Sequence, residues 1–233
     1  MSALMLRASG VGKCFTLHLR GGLRIPVLDH VDLHLHQGQC VALNGPSGAG
    51  KSTLLRALYG TYRIDAGRIL VRHQDAFVDL ATADERTVLA IRRETLGYVS
   101  QFLRVVPRVA AIDLVAEAGV ARGMDEAEAR AQAEALLLRL NIPRRLHGLP
   151  PATFSGGEQQ RINLARGFIA GHPILLLDEP TAALDAANRA VVIELIRAAK
   201  QRGIAIIGIF HDSEVRDSVA DEIFPMQPLQ DAA

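Results

Sequence analysis

Only two cysteines, Cys14 and Cys40, occur in the 233 residues. They have neither the spacing of metal ligands nor that of a disulfide framework, so thiolate metal centres and disulfide-stapled folds are excluded. Long hydrophobic runs are missing too: no stretch approaches the roughly 18 uninterrupted apolar residues of a membrane-spanning helix. Direct membrane insertion is therefore not expected, and any membrane contact must go through a partner. The N-terminus lacks the charged-then-apolar pattern of a secretory signal, which points to the cytoplasm. Nor is there an excess of one charge, since 26 Lys and Arg face 25 Asp and Glu. Nucleic-acid binding relies on a basic surplus that neutralises phosphates, so no nucleic-acid partner is expected. Internal repeats and low-complexity segments are absent as well.

What is present is a globular composition, 49% hydrophobic and 22% charged, in a chain long enough for one large α/β domain or two small ones. Phe15 to Leu19 and Val31 to His36 alternate apolar and polar residues around Gly21-Gly22, which reads as antiparallel strands. Cys40 to Leu43 reads as a short apolar strand. Ile69 to Leu80 is strand and turn, and Leu96 to Ser100 a further strand ending at Gln101. The period then becomes helical over Ile112 to Val120 and Asp125 to Leu140, with Asp125 as N-cap and Pro143 beyond the end. An inserted helical lobe is expected there. Afterwards come a helix from Gly157 through Gly167, the strand Ile174 to Leu177, a helix from Ala187 to Lys200 and the strand Ile204 to Phe210. Helices between apolar strands imply a mostly parallel sheet. His34 and His36 share the polar face of one strand with Asp32, where solvated side chains are expected rather than a metal site.

The densest signal is Gly45-Pro46-Ser47-Gly48-Ala49-Gly50-Lys51-Ser52-Thr53, which fits G-x-x-x-x-G-K-[ST] between a strand and a helix through Leu54, Leu55 and Leu58. Glycines let the backbone curl close enough for its N–H groups to wrap phosphates, and the helix N-terminus adds partial positive charge. Lys51 suits the β and γ phosphates, and the Ser52 hydroxyl suits Mg²⁺. The strand at Ile174 then delivers Asp178 and Glu179 at its C-terminal end, where ligands sit in open parallel sheets. Asp178 is expected in the Mg²⁺ shell. Glu179 is placed to polarise an attacking water, because phosphoryl transfer asks mainly for positioning and charge stabilisation. ATP with Mg²⁺ is the implied ligand pair.

Phe154-Ser155-Gly156-Gly157-Glu158-Gln159-Gln160-Arg161 resembles the signature of the ATP-binding cassette ATPases, and the likeness to that superfamily extends over nearly the whole chain. It implies a P-loop core of RecA-like type with a mostly parallel sheet, an antiparallel β subdomain and a helical subdomain at about 102–165, all in one nucleotide-binding domain over 1–233 with no permease fused to it. It also implies that Ser155, Gly156, Gly157 and Glu158 meet the γ-phosphate held by a second cassette subunit. Gln101 then corresponds to the loop that senses Mg²⁺ and water, Asp185 to the dimer-interface loop, His211 to the switch histidine and Phe15 to the aromatic that stacks on adenine.

A finer likeness lies in Val99 to Arg108, Thr153 to Arg161, Ala165 to Ile169 and Gly208 to Asp212. These stretches resemble the PhnL family, cassette proteins of the bacterial carbon-phosphorus lyase pathway. That resemblance implies a place in phosphonate (methylphosphonate) degradation and ribose phosphonate triphosphate synthesis, with lyase core subunits as partners and either a homodimer or a pair with a PhnK-like cassette protein. Two other roles stay open: the ATPase subunit of a lipoprotein-release or exporter type transporter, and an ATP-gated assembly clamp. Phe102, Leu103, Val105 and Val106 are apolar where a loop is expected, and form either a contact patch or local packing against the helical lobe.

Overall fold

The computed structural model describes residues 2–17, 22–101, 103 and 108–229. It opens with two long antiparallel strands, β1 (Leu4–Leu17) and β2 (Leu23–His36), followed by β3 (Cys40–Asn44) and helix α1 (Lys51–Leu58). Strands β4 (Ala66–His73) and β5 (Ala76–Asp79) lead to α2 (Glu85–Glu94) and β6 (Leu96–Val99). The helical stretch holds α3 (Ala111–Val120), α4 (Glu126–Arg139), the single turn α5 (Arg144–His147) and α6 (Gly156–Ile169). The chain then returns through β7 (Ile174–Asp178), α7 (Ala186–Gln201), β8 (Ala205–Ile209), α8 (Ser213–Val219) and β9 (Glu222–Pro225).

Two sheets result. One is antiparallel, in the order β2-β1-β4-β5. The other has the order β6-β7-β8-β3-β9, with every neighbouring pair parallel. The strand period of two explains how the parallel sheet divides the core. Cys40, Ala42, Leu175, Leu177 and Ile206 face a layer shared with α3, α4, α6 and α7. Their alternates Val41, Leu43, Ile174, Leu176 and Ile207 face a second layer with α1 and the antiparallel sheet. Both faces being covered, these strands read as continuous apolar runs, as parallel strands do.

Local capping sets the helix starts. Asp125 accepts from the N–H groups of Ala127 and Glu128, which begins α4 where its sequence predicts. Asp84 caps α2 by accepting from Thr87 N, a helix for which the sequence shows no apolar periodicity, since only Ile91 of it is buried. Strand β9 and helix α8 also escape the sequence reading; both are short, and β9 is held by backbone pairing with β3 rather than by its own side chains. Leu103 is 7% exposed and belongs to the core that contains α3. It therefore packs locally rather than joining a contact patch; Phe102, Val105 and Val106 lie outside the described residues.

Candidate active site

The phosphate loop leaves β3 at Asn44 and re-enters regular structure at Lys51. Two of its glycines are sterically required. A Cβ on Gly45 would overlap the carbonyl of Met226, whose N–H donates to Asn44 O at 2.7 Å. Gly50 caps α1 at φ +83°, where a Cβ would lie 2.8 Å from Val27 O. No side chain caps α1, so its first-turn N–H groups point into the loop without a side-chain acceptor, an arrangement that fits phosphate oxygens. Lys51 Nζ donates to Gly45 O at 2.7 Å and Pro46 O at 2.8 Å, which holds the ammonium across the loop. Ala49 is buried and its N–H donates to Pro46 O; Ser47 and Gly48 form the exposed rim. Ser52 and Thr53 sit on the first turn of α1.

Strand β7 is buried along its full length and runs between β6 and β8. It carries Asp178, 4% exposed, to the loop. Ser52 Oγ donates to Asp178 Oδ1 at 3.2 Å, and Tyr98 Oη donates to Asp178 Oδ2 at 2.7 Å. Burial and the adjacent carboxylate hold the Tyr98 hydroxyl well above its ordinary pKa, so it remains a donor. Among the described residues there is no group of three or more His, Cys, Asp or Glu able to hold a metal. A cation here would be held by Ser52, Asp178 and substrate oxygens, which suits Mg²⁺, an ion that usually takes one or two carboxylates plus phosphates and water.

Glu179 follows at φ +53°, a left-handed backbone that non-glycine residues rarely adopt and that clusters at functional sites. Its carboxylate is gripped from two sides: Gln101 Nε2 donates to Oε2 at 2.8 Å, and His211 Nε2 lies 2.6 Å from Oε1. Three segments distant in sequence thus converge on one carboxylate at the strand ends.

The signature turn lies elsewhere. Ser155 is the N-cap of α6 in a full capping box: its N–H and hydroxyl both donate to Glu158 Oε2, at 2.9 and 2.8 Å. The Ser155 hydroxyl, followed by its N–H, holds the Glu158 carboxyl below its usual pKa. Glu158 thus serves the helix cap. Gly156 is open, whereas a Cβ on Gly157 would come within 2.9 Å of Ala183 O. Among the described residues no hydrogen bond or ion pair joins Ser155 through Glu158 to Gly45 through Thr53. Asp185 caps α7 by accepting from Asn188 N at 2.8 Å. Phe15 is half-buried on β1, edge-on to Tyr62 with centroids 5.3 Å apart and Lys13 Nζ 5.3 Å from its ring centre.

Sequence reasoning missed several supports. Tyr98 looks like one more aromatic on a short strand. Gln160 Nε2 reaches Glu179 O at 3.4 Å and Asn163 Nδ2 donates to Ser100 O at 2.7 Å, so α6 braces both Glu179 and the strand leading to Gln101. Asn188 Oδ1 accepts from Arg161 Nη1 at 2.9 Å and from Asn141 Nδ2 at 3.0 Å, tying α6, α7 and the α4–α5 turn together. A cleft of about 920 Å³ lies beside the site, walled by Arg56, Arg92, Arg93, Arg122 and Arg166 and reaching Gln101 and Asp178. His172 lines it too, its pKa pushed down to about 4 by burial and by the Arg122 charge.

Residues 28–182 match the family model described as ABC transporter. The chain belongs to that family. It is 35% identical to the lipoprotein-releasing system ATP-binding protein LolD of Shewanella sp. (strain MR-4), over 92% of this chain and 90% of LolD. It is 39% identical to the macrolide export ATP-binding/permease protein MacB of Brucella abortus (strain 2308), over 93% of this chain but only 32% of that longer protein. The dimeric bacterial ABC transporter cassette MJ0796 superposes with a TM-score of 0.85 at 26% identity, covering 96% of this chain and 95% of the other. A second MJ0796 structure, a post-hydrolysis dimer bound to ADP and Pi, gives a TM-score of 0.84. The α/β core with its parallel and antiparallel sheets is thus that of an ABC cassette, an ATPase that binds ATP with Mg²⁺. These relatives lend no support to the finer PhnL likeness or to carbon-phosphorus lyase partners. Among the described residues no helix is long and apolar enough to cross a membrane.

Proposed function

We propose that this chain is the ATPase subunit of a membrane transporter of the lipoprotein-release or exporter kind, working in the cytoplasm as one of a pair of cassettes. The loop amides and Lys51 take the triphosphate, and Phe15 takes the adenine. Ser52 and Asp178 hold Mg²⁺, which when bound neutralises charge on the β and γ phosphates. Glu179 accepts a proton from the attacking water, while Gln101 and His211 fix its carboxylate. The turn at Ser155 and the Asp185 loop of a second cassette complete the pocket over the γ-phosphate, because within one chain that turn makes no bond to the phosphate loop. The turn at the N-terminus of α6 then meets a phosphate only when two cassettes close.

The observation that carries the transporter reading is the arginine-walled cleft that reaches Gln101 as well as Asp178. A segment seated there touches the residue that grips Glu179, so docking and hydrolysis share one side chain. The wall chemistry suits an acidic segment of a permease partner. Likeness to LolD over nine-tenths of both chains agrees with this assignment. The carbon-phosphorus lyase reading rests on the four sequence stretches alone. One experiment separates them: affinity capture of the tagged full chain from detergent-solubilised, phosphate-starved cells, with and without ATP. Recovery of a membrane permease is expected; recovery of soluble lyase subunits instead would replace the transporter assignment.

A further inference from the structure

We infer that Tyr98 is a positioning residue for the metal-binding carboxylate, its hydroxyl turning Asp178 so that one oxygen is left to share Mg²⁺ with Ser52. The inference rests on the Mg²⁺ role proposed above for Ser52 and Asp178. Register explains the contact. Tyr98 pairs with Leu176 across the β6–β7 ladder, and Asp178 lies two residues further along β7, on the same face of the sheet. A long side chain on one strand reaches such a diagonal neighbour.

The two carboxylate oxygens are held unequally. Oδ2 receives the Tyr98 hydroxyl at 2.7 Å, the usual length of an O–H···O bond, whereas Ser52 Oγ stands 3.2 Å from Oδ1. The terminal torsion of an aspartate is broad and two-fold when free, and one anchored oxygen removes that freedom. Tyr98 is itself braced. Its ring packs on Tyr59 at 5.1 Å between centroids, and Arg92 lies 4.8 Å over Tyr59 while its Nε donates to the Tyr59 carbonyl. With no cluster of three metal-binding side chains among the described residues, the orientation of this one carboxylate weighs heavily on cation affinity.

The test is Tyr98→Phe, which keeps the ring and removes the hydroxyl. Binding of a trinitrophenyl ATP analogue is measured across a Mg²⁺ titration and in EDTA, beside thermal melts and the Mg²⁺ dependence of phosphate release. Loss of one hydrogen bond to a charged group predicts a rise of roughly tenfold in half-saturating Mg²⁺. Affinity in EDTA stays near wild type and excess Mg²⁺ restores the rate, while the melting temperature falls modestly because the buried Asp178 oxygen loses its donor. In a Ser52→Ala background the same substitution has a smaller effect, since both act on one metal. Superimposable Mg²⁺ curves, or an equal loss of affinity in EDTA, would overturn the inference. No permease enters these measurements, so failure of the transporter assignment leaves them intact; Mg²⁺-independent nucleotide binding by the wild type would overturn both the metal role and the part given to Tyr98.

Discussion

His211 Nε2 lies 2.6 Å from Glu179 Oε1, and Gln101 Nε2 donates to the other oxygen of the same carboxylate at 2.8 Å. One side chain from the end of β7 is therefore oriented by two others from the ends of β8 and β6. Replacing Glu179 by Gln keeps the size and much of the hydrogen bonding but removes the proton acceptor. Steady-state phosphate release is expected to fall by about 10² to 10⁴, the usual contribution of a positioned general base, with ATP affinity retained. Measurable turnover in that variant close to wild type would remove Glu179 from the chemistry, and its loss would exclude a purely passive clamp.

Lys51 carries the one ammonium of the phosphate loop, held by two loop carbonyls. A charge-assisted contact with phosphate contributes about 1.5 to 3 kcal/mol. Lys51→Ala is thus expected to weaken ATP binding by roughly tenfold to a hundredfold, read by equilibrium titration. Undiminished affinity would contradict the assignment.

Ser155→Ala separates the two halves of the proposed composite pocket. Loss of the cap should lower stability by about 1 kcal/mol. ATP should still bind at the Lys51 loop with near wild-type affinity, while ATP-driven pairing weakens. Light scattering of the hydrolysis-blocked Glu179→Gln protein, with and without Ser155→Ala, checks this; a Glu179→Gln protein that stays monomeric with ATP and joins no other cassette would defeat the two-subunit pocket itself.

His172 predicts a pH dependence of stability. Its folded-state pKa is depressed to about 4, against an ordinary value near 6.5. Above that ordinary value both states are neutral and the residue adds no pH dependence. As pH falls from about 6.5 toward 4, the unfolded chain takes up a proton that the folded chain resists, so stability declines in that window. Its buried Nδ1 lacks a hydrogen-bond partner, consistent with a neutral ring. The difference in melting temperature between pH 7 and pH 4.5 is expected to shrink in His172→Gln, by an amount corresponding to at most about 3 kcal/mol. Equal shifts in both proteins would show that burial at this position does not govern the proton.

Strong local chemistry made part of this molecule legible in advance. The phosphate loop, the two carboxylates after a buried strand and the signature at Ser155 each lie within a few consecutive residues, so spacing alone displays them. Helix α4 announces itself by an Asp N-cap at Asp125. Helix α2 and strand β9 do not, because α2 buries only Ile91 and β9 is a sheet edge supported by its neighbour's backbone. The contacts made by Tyr98, Gln160, Asn163 and Asn188 gave no signal either, since each acts on a residue far away in the chain.

From its residues alone, this protein is committed to a glycine-lined phosphate loop, a pair of acids at a strand end and an alternation of helix and parallel strand. Those features depend on neighbours in sequence, where backbone conformation, capping and side-chain period act. Tertiary packing decided that Gln101 and His211 meet on Glu179, that Tyr98 reaches Asp178, and that the tail at Met226 closes against Gly45. Such contacts join segments tens of residues apart, and their geometry exists only once the parallel sheet has set the strands in the order β6-β7-β8-β3-β9.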